Sequence, residues 1–257
     1  MTHNTPATIS VIIPTQNEEQ LIGHAIRRLQ NHGVYQVIVV DGQSDDQTTQ
    51  IAHSHGATVL SSPPGRGLQM NHGAATATGD ILLFLHADTI LPPAFCEQIR
   101  QILVRPGVAA GAFRLRINSP QCFFRLIEHM VYWRCRLKQM PYGDQALFLR
   151  TDVFHRVGCY RQLPIMEDFD LVCRLRRVGH IQLARVAAVT SARRWLNHGI
   201  LKTMIANQLH LLAYRCGINP NRIASWRNVH AIQRDHQGQV FTIESVSCPA
   251  SGPHRKV

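Results

Sequence analysis

Two short stretches carry the side chains best suited to chemistry. Residues 83–89 read LFLHADT, an apolar run that delivers His86 and Asp88 to its end. One histidine or one aspartate is more often a satisfied structural residue than a ligand. Two such groups one residue apart, past the end of a buried strand, point to a divalent ion bridging diphosphate oxygens. Residues 166–171, MEDFDL, gather Glu167, Asp168 and Asp170. An acidic first turn of a helix is favoured by the helix dipole whatever its function.

Three more polar stretches follow apolar runs. PTQNEE (14–19) sets Thr15, Asn17 and Glu18 after Pro14. It reads either as a turn with Asn17 as N-cap or as hydrogen-bonding groups around a nucleotide. In VDGQSDDQT (40–48), Asp45 or Asp46 suits a helix cap. Asp41 is harder to assign that way and can accept hydrogen bonds from a base or ribose. PPGRGLQMN (63–71) runs a Gly-Arg-Gly loop into a helix, where backbone N–H groups and Arg66 can meet an anion. It lacks the Lys-Ser/Thr of a P-loop and is not GxGxxG, so simple NTPase and dinucleotide-binding readings lose support.

The elements that must position these residues alternate. TISVIIP (8–14), YQVIVVD (35–41), ATVLSS (57–62) and DILLFLH (80–86) read as strands, each followed by a helical stretch. Near-continuous apolar strands separated by helices predict a parallel sheet covered on both faces, which binds ligands at the carboxyl ends of its strands. Further on, 109–117 reads as a strand and 123–139 as a basic amphipathic helix. GDQALFLR (143–150) reads as a turn into a strand, and 166–179 as a helix closed by Gly179. A second long helix is expected over 199–216, and a loose tail at the end of 229–257.

The chain has 257 residues, 45% of them hydrophobic, and a formal charge of +11 from 27 Lys+Arg against 16 Asp+Glu. That charge implies an anionic partner: nucleotide phosphates, nucleic acid or an acidic membrane surface. The arginines are dispersed and no nucleic-acid motif is present, so nucleic acid is not expected. Seven scattered cysteines without a CxxC pair argue against a disulfide framework or zinc site and fit a reducing compartment. No signal peptide and no run of about 20 apolar residues is seen, so the expectation is a cytoplasmic protein, soluble or peripheral on the inner membrane face.

The ordered set SVIIPTQNEE, VIVVDGQSDDQT, GRGLQMNHGAATATGDILLFLHADT, YGDQALFLR and MEDFDLVCRLRRVG, spanning roughly 8–180, resembles the inverting family 2 glycosyltransferases. LHADT, GDQ, EDFDL and RRW together are similar to a small bacterial subgroup whose acceptors are largely undefined. The resemblance implies the α/β GT-A nucleotide-diphospho-sugar transferase fold, with a mostly parallel central sheet and helices on both faces. It implies one domain over 1–228, its nucleotide-binding half about 8–105 and its acceptor half about 106–228. The expected activity is transfer of a sugar, from a UDP-sugar by preference, with Mn²⁺ or Mg²⁺ as cofactor.

By the same resemblance, Pro14, Thr15, Asn17 and Glu18 line the nucleotide pocket, Asp41 contacts the base, and Arg66 with Asn71 closes the site. His86, Ala87 and Asp88 form the metal turn, with His86 where the family carries the first aspartate of Asp-x-Asp. Asp168 takes the position of the catalytic base. Asp144, Gln145 and Glu167 fall on the acceptor and diphosphate side. SARRWLNHG (191–199) resembles a shortened Gln-x-x-Arg-Trp element, in which Arg193 or Arg194 meets the diphosphate and Trp195 the acceptor. Ser191 replaces the glutamine, and processive polymer synthesis is not expected. His198 is a further metal candidate, though a surface histidine is the commoner case.

Two rival functions stand beside this one: a sugar nucleotidyltransferase, whose Gly-rich signature after the first strand is missing, and a basic nucleic-acid- or ligand-binding protein without catalysis. The helix at 123–139 has its own alternatives. Most such segments bury their apolar face in the core. Otherwise the helix lies in a membrane interface with its arginines on anionic lipid, which would suit a lipid-linked or apolar acceptor.

Overall fold

The structure, a computed structural model, describes residues 6–228, with the side chains of Arg194, Asn197, His198, Leu201, Arg227 and Asn228 outside the described set. The expected extension and tail at 229–257 therefore lie outside the described residues. The first half runs β1 (Ile9–Thr15), α1 (Glu19–Gln30), β2 (Gln36–Asp41), α2 (Thr48–Ser54), β3 (Thr58–Ser61), α3 (Arg66–Thr76) and β4 (Ile81–Phe84). These four strands pair in parallel in the order β3-β2-β1-β4. Ile9, Val11, Ile12 and Ile13 are all fully buried because helices cover both faces of the sheet.

The second half continues with β5 (Thr89–Ile90), α4 (Phe95–Leu103), β6 (Val108–Asn118), α5 (Cys122–Lys138), a short 3₁₀ turn (Gly143–Gln145), β7 (Phe148–Arg150), α6 (Thr151–Arg156), α7 (Glu167–Val178) and β8 (His180–Ser191). It ends in α8 (Arg193–His198), α9 (Ile200–Arg215) and α10 (Pro220–Asn228). The eight strands of the described residues form one sheet, β3-β2-β1-β4-β7-β6-β8-β5. β7 is antiparallel to β4 and β6, and β5 to β8, so the sheet is mostly but not wholly parallel.

Two local expectations need correction. Asn17 is not the N-cap of α1; it adopts φ 54° and Glu18 takes the cap position. Gly179 does close α7, in extended backbone. Its need for glycine is space, since a Cβ there would lie 2.7 Å from the Gly107 carbonyl oxygen. Finally, α5 buries less than half of its apolar residues: Phe124, Ile127, Val131 and Cys135 join Leu115 and Ile117 of β6 in one cluster, while Phe123, Leu126, Met130, Trp133 and Leu137 are exposed.

Candidate active site at the strand ends

The LFLHADT stretch leaves the sheet after β4 in a tight turn closed by the Thr89 N–H donating to the His86 carbonyl at 3.0 Å. β5 then pairs with the end of β8, Thr89 opposite Thr190. That pairing brings the 191–195 segment beside the His86–Asp88 turn, a proximity no sequence spacing announces. Ala87 is buried, while His86 and Asp88 are partly exposed and the Thr89 hydroxyl lies 3.3 Å from Asp88 Oδ1.

Asp168 comes from the first turn of α7 and meets the Gly143–Gln145 turn. A Cβ on Gly143 would lie 2.3 Å from Asp168 Oδ2 and 3.0 Å from His86 Nε2, so both groups converge on one glycine. The Gly143 N–H donates to the Asp168 carboxylate, and Asp168 Oδ1 is buried without a hydrogen-bond partner among the described residues. Burial, reinforced by the neighbouring Glu167 and Asp144 and opposed by Arg66, pushes the Asp168 carboxyl up to about 7. A carboxyl poised near neutrality is suited to taking a proton from a hydroxyl. Arg66 opens α3 with its guanidinium 3.6 Å from buried Glu167.

The loops after β1 and β2 are tied together. The Asn17 N–H donates to Ser44 Oγ and its side-chain oxygen accepts the Asp45 N–H, each at 2.9 Å. The Glu18 and Glu19 N–H groups donate to Thr48 Oγ1 and Asp46. Pro14 is partly exposed at the strand end, and the buried Thr15 hydroxyl lies 3.4 Å from the Val40 carbonyl. Asp41 is buried and accepts the Ser44 N–H and hydroxyl, one on each oxygen, so it shapes its own turn while each oxygen keeps a further lone pair. Glu18 Oε1 and Oε2 both accept from Arg193 Nη2 at 3.0 Å. Burial raises the Glu18 carboxyl, with Asp88 and Asp46 adding to the shift and Arg193 opposing it.

Several expected ligand contacts have tasks inside the protein. Asn71 donates to the Tyr160 carbonyl at 2.8 Å and accepts the Tyr160 N–H at 2.9 Å, fixing the loop before α7. Gln145 is fully buried: its amide donates to the Phe113 carbonyl at 2.9 Å while Arg134 and Cys135 donate to its oxygen. Its place is beneath the turn rather than on the acceptor, and the Arg134 guanidinium stacks 3.8 Å over the Tyr142 ring beside it. Trp195 packs edge-on against Phe124 of α5. Asp144 stands close enough to Asp168 to raise its carboxyl. The Arg194 and His198 side chains lie outside the described residues.

Tyr160 and Gly143 are the residues sequence reading passed over. Tyr160 is buried, and burial with the nearby Asp168 and Glu167 carboxylates pushes its phenol well above the usual range. Gly143 opens the GDQ motif, but nothing in its spacing marks it as the contact point of His86 and Asp168.

No group of three or more His, Cys, Asp or Glu able to hold a metal ion occurs among the described residues. Asp88, with His86 two residues before it, would hold an ion such as Mg²⁺ or Mn²⁺, the kind bound through one or two protein groups together with substrate phosphates.

Comparison with known proteins now decides the family. The sequence model described as Glycosyl transferase family 2 matches residues 10–164, more than half of the chain. The chain belongs to glycosyl transferase family 2. An uncharacterized glycosyltransferase of Haemophilus influenzae is 30% identical over 180 residues, 65% of this chain and 61% of that protein. A glucosyl-3-phosphoglycerate synthase of Mycolicibacterium smegmatis is 34% identical over 105 residues, 36% of this chain and 35% of that one. The chain thus aligns with between about a third and three fifths of the length of these curated relatives.

Among solved structures, glucosyl-3-phosphoglycerate synthase from Mycobacterium tuberculosis, in complex with Mn²⁺, UDP and glucosyl-3-phosphoglycerate, superposes with a TM-score of 0.60. It is 23% identical, with 82% of this chain and 81% of that chain covered. A mannosyltransferase from Pyrobaculum calidifontis in complex with GDP-Man and Mn²⁺ gives 0.58 at 18% identity, covering 73% and 57%. The shared architecture is the GT-A fold, as the ordered motifs implied.

Proposed function

We propose that this family 2 member transfers a sugar from a nucleotide-diphosphate donor, a UDP-sugar, to an acceptor hydroxyl with inversion at the anomeric carbon. One observation carries the reading: the Asp168 carboxyl, raised to about 7 and with Oδ1 unpartnered among the described residues, converges with His86 on Gly143 at the mouth of the strand ends. Asp168 takes the proton of the acceptor hydroxyl as its oxygen attacks the anomeric carbon. The bond from that carbon to the diphosphate oxygen breaks on the opposite face, and its electron pair leaves with UDP.

Asp88 is the carboxylate that would hold Mn²⁺ or Mg²⁺, which would stabilise the charge developing on the leaving diphosphate. His86 Nε2 is turned toward Gly143 and Asp168, which supports a role beside the proposed base as well as at the metal turn. Arg66 and Arg193 supply cationic groups for the phosphates. Asp41 and the tied loops of Thr15, Asn17 and Ser44 frame the base and ribose.

A thermal-shift panel of UDP-, GDP- and dTDP-sugars with and without Mn²⁺ tests the donor. A UDP-sugar with Mn²⁺ is expected to raise the melting temperature most, because a ligand that prefers the native state stabilises it. No stabilisation by any member overturns the donor assignment. Release of pyrophosphate instead of UDP would mark a nucleotidyltransferase.

A further inference from the structure

Outside this site the molecule has a second built surface, where β6, β8 and the C-terminal turns of α5 meet. A groove of about 690 Å³ there is lined by Arg105, Arg114, Arg136, Arg185, His180 and Tyr132 among others, and by no acidic residue. None of the four arginines has a carboxylate partner among the described residues. The Arg114 guanidinium rests 4.7 Å over the Tyr132 ring, which fixes it without neutralising it.

The same helix carries the exposed ridge. Phe123, Leu126, Met130, Trp133 and Leu137 follow alternating steps of three and four, so they share one stripe of α5, and Leu137 is 73% exposed. This stripe is distinct from the one that α5 packs onto β6. Arg136 joins the two surfaces. It lines the groove, precedes Leu137 and lies one turn from Trp133. An apolar ridge bordered by unpaired arginines is the arrangement of an interfacial helix, whose side chains enter the acyl boundary while cations meet anionic headgroups.

A second copy of the chain fits this surface less well. Glu128 is the one acid in α5, and it is already engaged by Arg125 at 3.1 Å and by the Ile117 N–H. A two-fold pairing along the ridge would bring like-charged flanks together with no carboxylate of the helix to meet them. No helix among the described residues is long and apolar enough to cross a membrane.

We infer that α5 and the adjoining arginine groove dock the protein onto an anionic lipid bilayer, with the ridge in the headgroup–acyl boundary and the groove arginines on lipid phosphates. The docking is independent of donor chemistry. It also explains why a strongly basic chain leaves large apolar side chains in water. Because Arg134 of α5 holds Tyr142 and Gln145, the docked helix lies directly under the Gly143–Gln145 turn.

The test is flotation of the full chain with vesicles of phosphatidylcholine alone and of phosphatidylcholine with phosphatidylglycerol. Binding is expected to the anionic vesicles only and to weaken with salt. Neutralising Arg136 or Arg185 (R136Q, R185Q) is expected to lower the partition coefficient roughly fivefold each. The double change Trp133→Ser, Leu137→Glu is expected to abolish binding with an unchanged melting temperature, because both side chains are already exposed. Failure of the unaltered chain to float, equal binding to neutral vesicles, or binding insensitive to all these changes overturns the proposal. So does self-association removed by Leu137→Glu in a chain that binds no vesicles, which would assign the ridge to a second copy.

Discussion

The Asp168 carboxylate rests against the bare Cα of Gly143: a methyl group there would come within 2.3 Å of Oδ2. Glycine is required by space, and the same missing Cβ leaves room for His86 Nε2. Gly143→Ala must push the base or the imidazole aside. Misplacing a catalytic group by about 1 Å costs on the order of a hundredfold, so kcat is expected to fall about that much while the dissociation constant for the donor stays within about threefold. Single-turnover kinetics alongside donor titration separate the two effects, and an unchanged kcat would show that the carboxylate tolerates displacement.

Asp168→Asn keeps the shape and removes the base. The turnover number is expected to fall by roughly 10³-fold with donor binding retained. Stability should move the other way. The folded-state carboxyl is raised from 3.8 to about 7, so the aspartate's contribution is fully present below pH 3.8 and is lost as pH rises through about 7. The asparagine variant should therefore be more stable than the parent at pH 8, by on the order of 1–3 kcal/mol, and lose that advantage by pH 4. Urea melts at the two pH values check the sign.

The same shift predicts the rate profile. A free-enzyme base titrating near 7 makes kcat/KM climb tenfold per pH unit below that point and level off above it. Glu167 is the first neighbour holding Asp168 up, and Arg66 opposes it. Glu167→Gln should move the acidic limb to lower pH and Arg66→Gln to higher pH. A limb that ignores both changes would belong to another group.

What could be read from the chain and what could not divides along physical lines. The buried parallel strands announced themselves because both their faces are covered, and the ordered motifs implied the fold. β8 went unannounced: Gln182, Arg185 and Thr190 break its apolar run, and it is half-buried along much of its length. Asn71 and Gln145 were expected at a ligand, since a polar side chain in a motif looks the same whether it faces a substrate or a backbone amide. Only the fold shows that the Tyr160 backbone and the Phe113 carbonyl take up their amides. The convergence of His86, Gly143 and Asp168 is likewise a product of three separate segments meeting.

His86 and Asp88 should separate in their response to metal. The His86 ring nitrogen meets the Gly143–Asp168 contact, whereas Asp88 lies near enough to Glu18 to raise its carboxyl. Asp88→Ala is expected to abolish Mn²⁺-dependent stabilisation by UDP-sugar. His86→Ala should keep that stabilisation and lose turnover, by about a hundredfold. Loss of Mn²⁺ dependence in the histidine variant would make His86 a ligand of the ion.

Arg193 and Glu18 form an ion pair between residues 175 positions apart, joining the loop after β1 to α8. The pair is partly exposed, so its contribution to stability is expected to be about 1 kcal/mol or less. Its larger effect is on charge. With Arg193→Ala, the half-buried Glu18 carboxylate faces Asp88 and Asp46 without its cation, and its carboxyl must rise further. The donor's diphosphate also loses a guanidinium at the strand ends. UDP affinity is expected to drop roughly tenfold, and Glu18→Gln should recover part of that loss in the arginine-deleted background by removing the uncompensated negative charge. Calorimetric titration of the two single variants and the double variant closes the cycle; strictly additive losses would show that the two residues act on the donor separately.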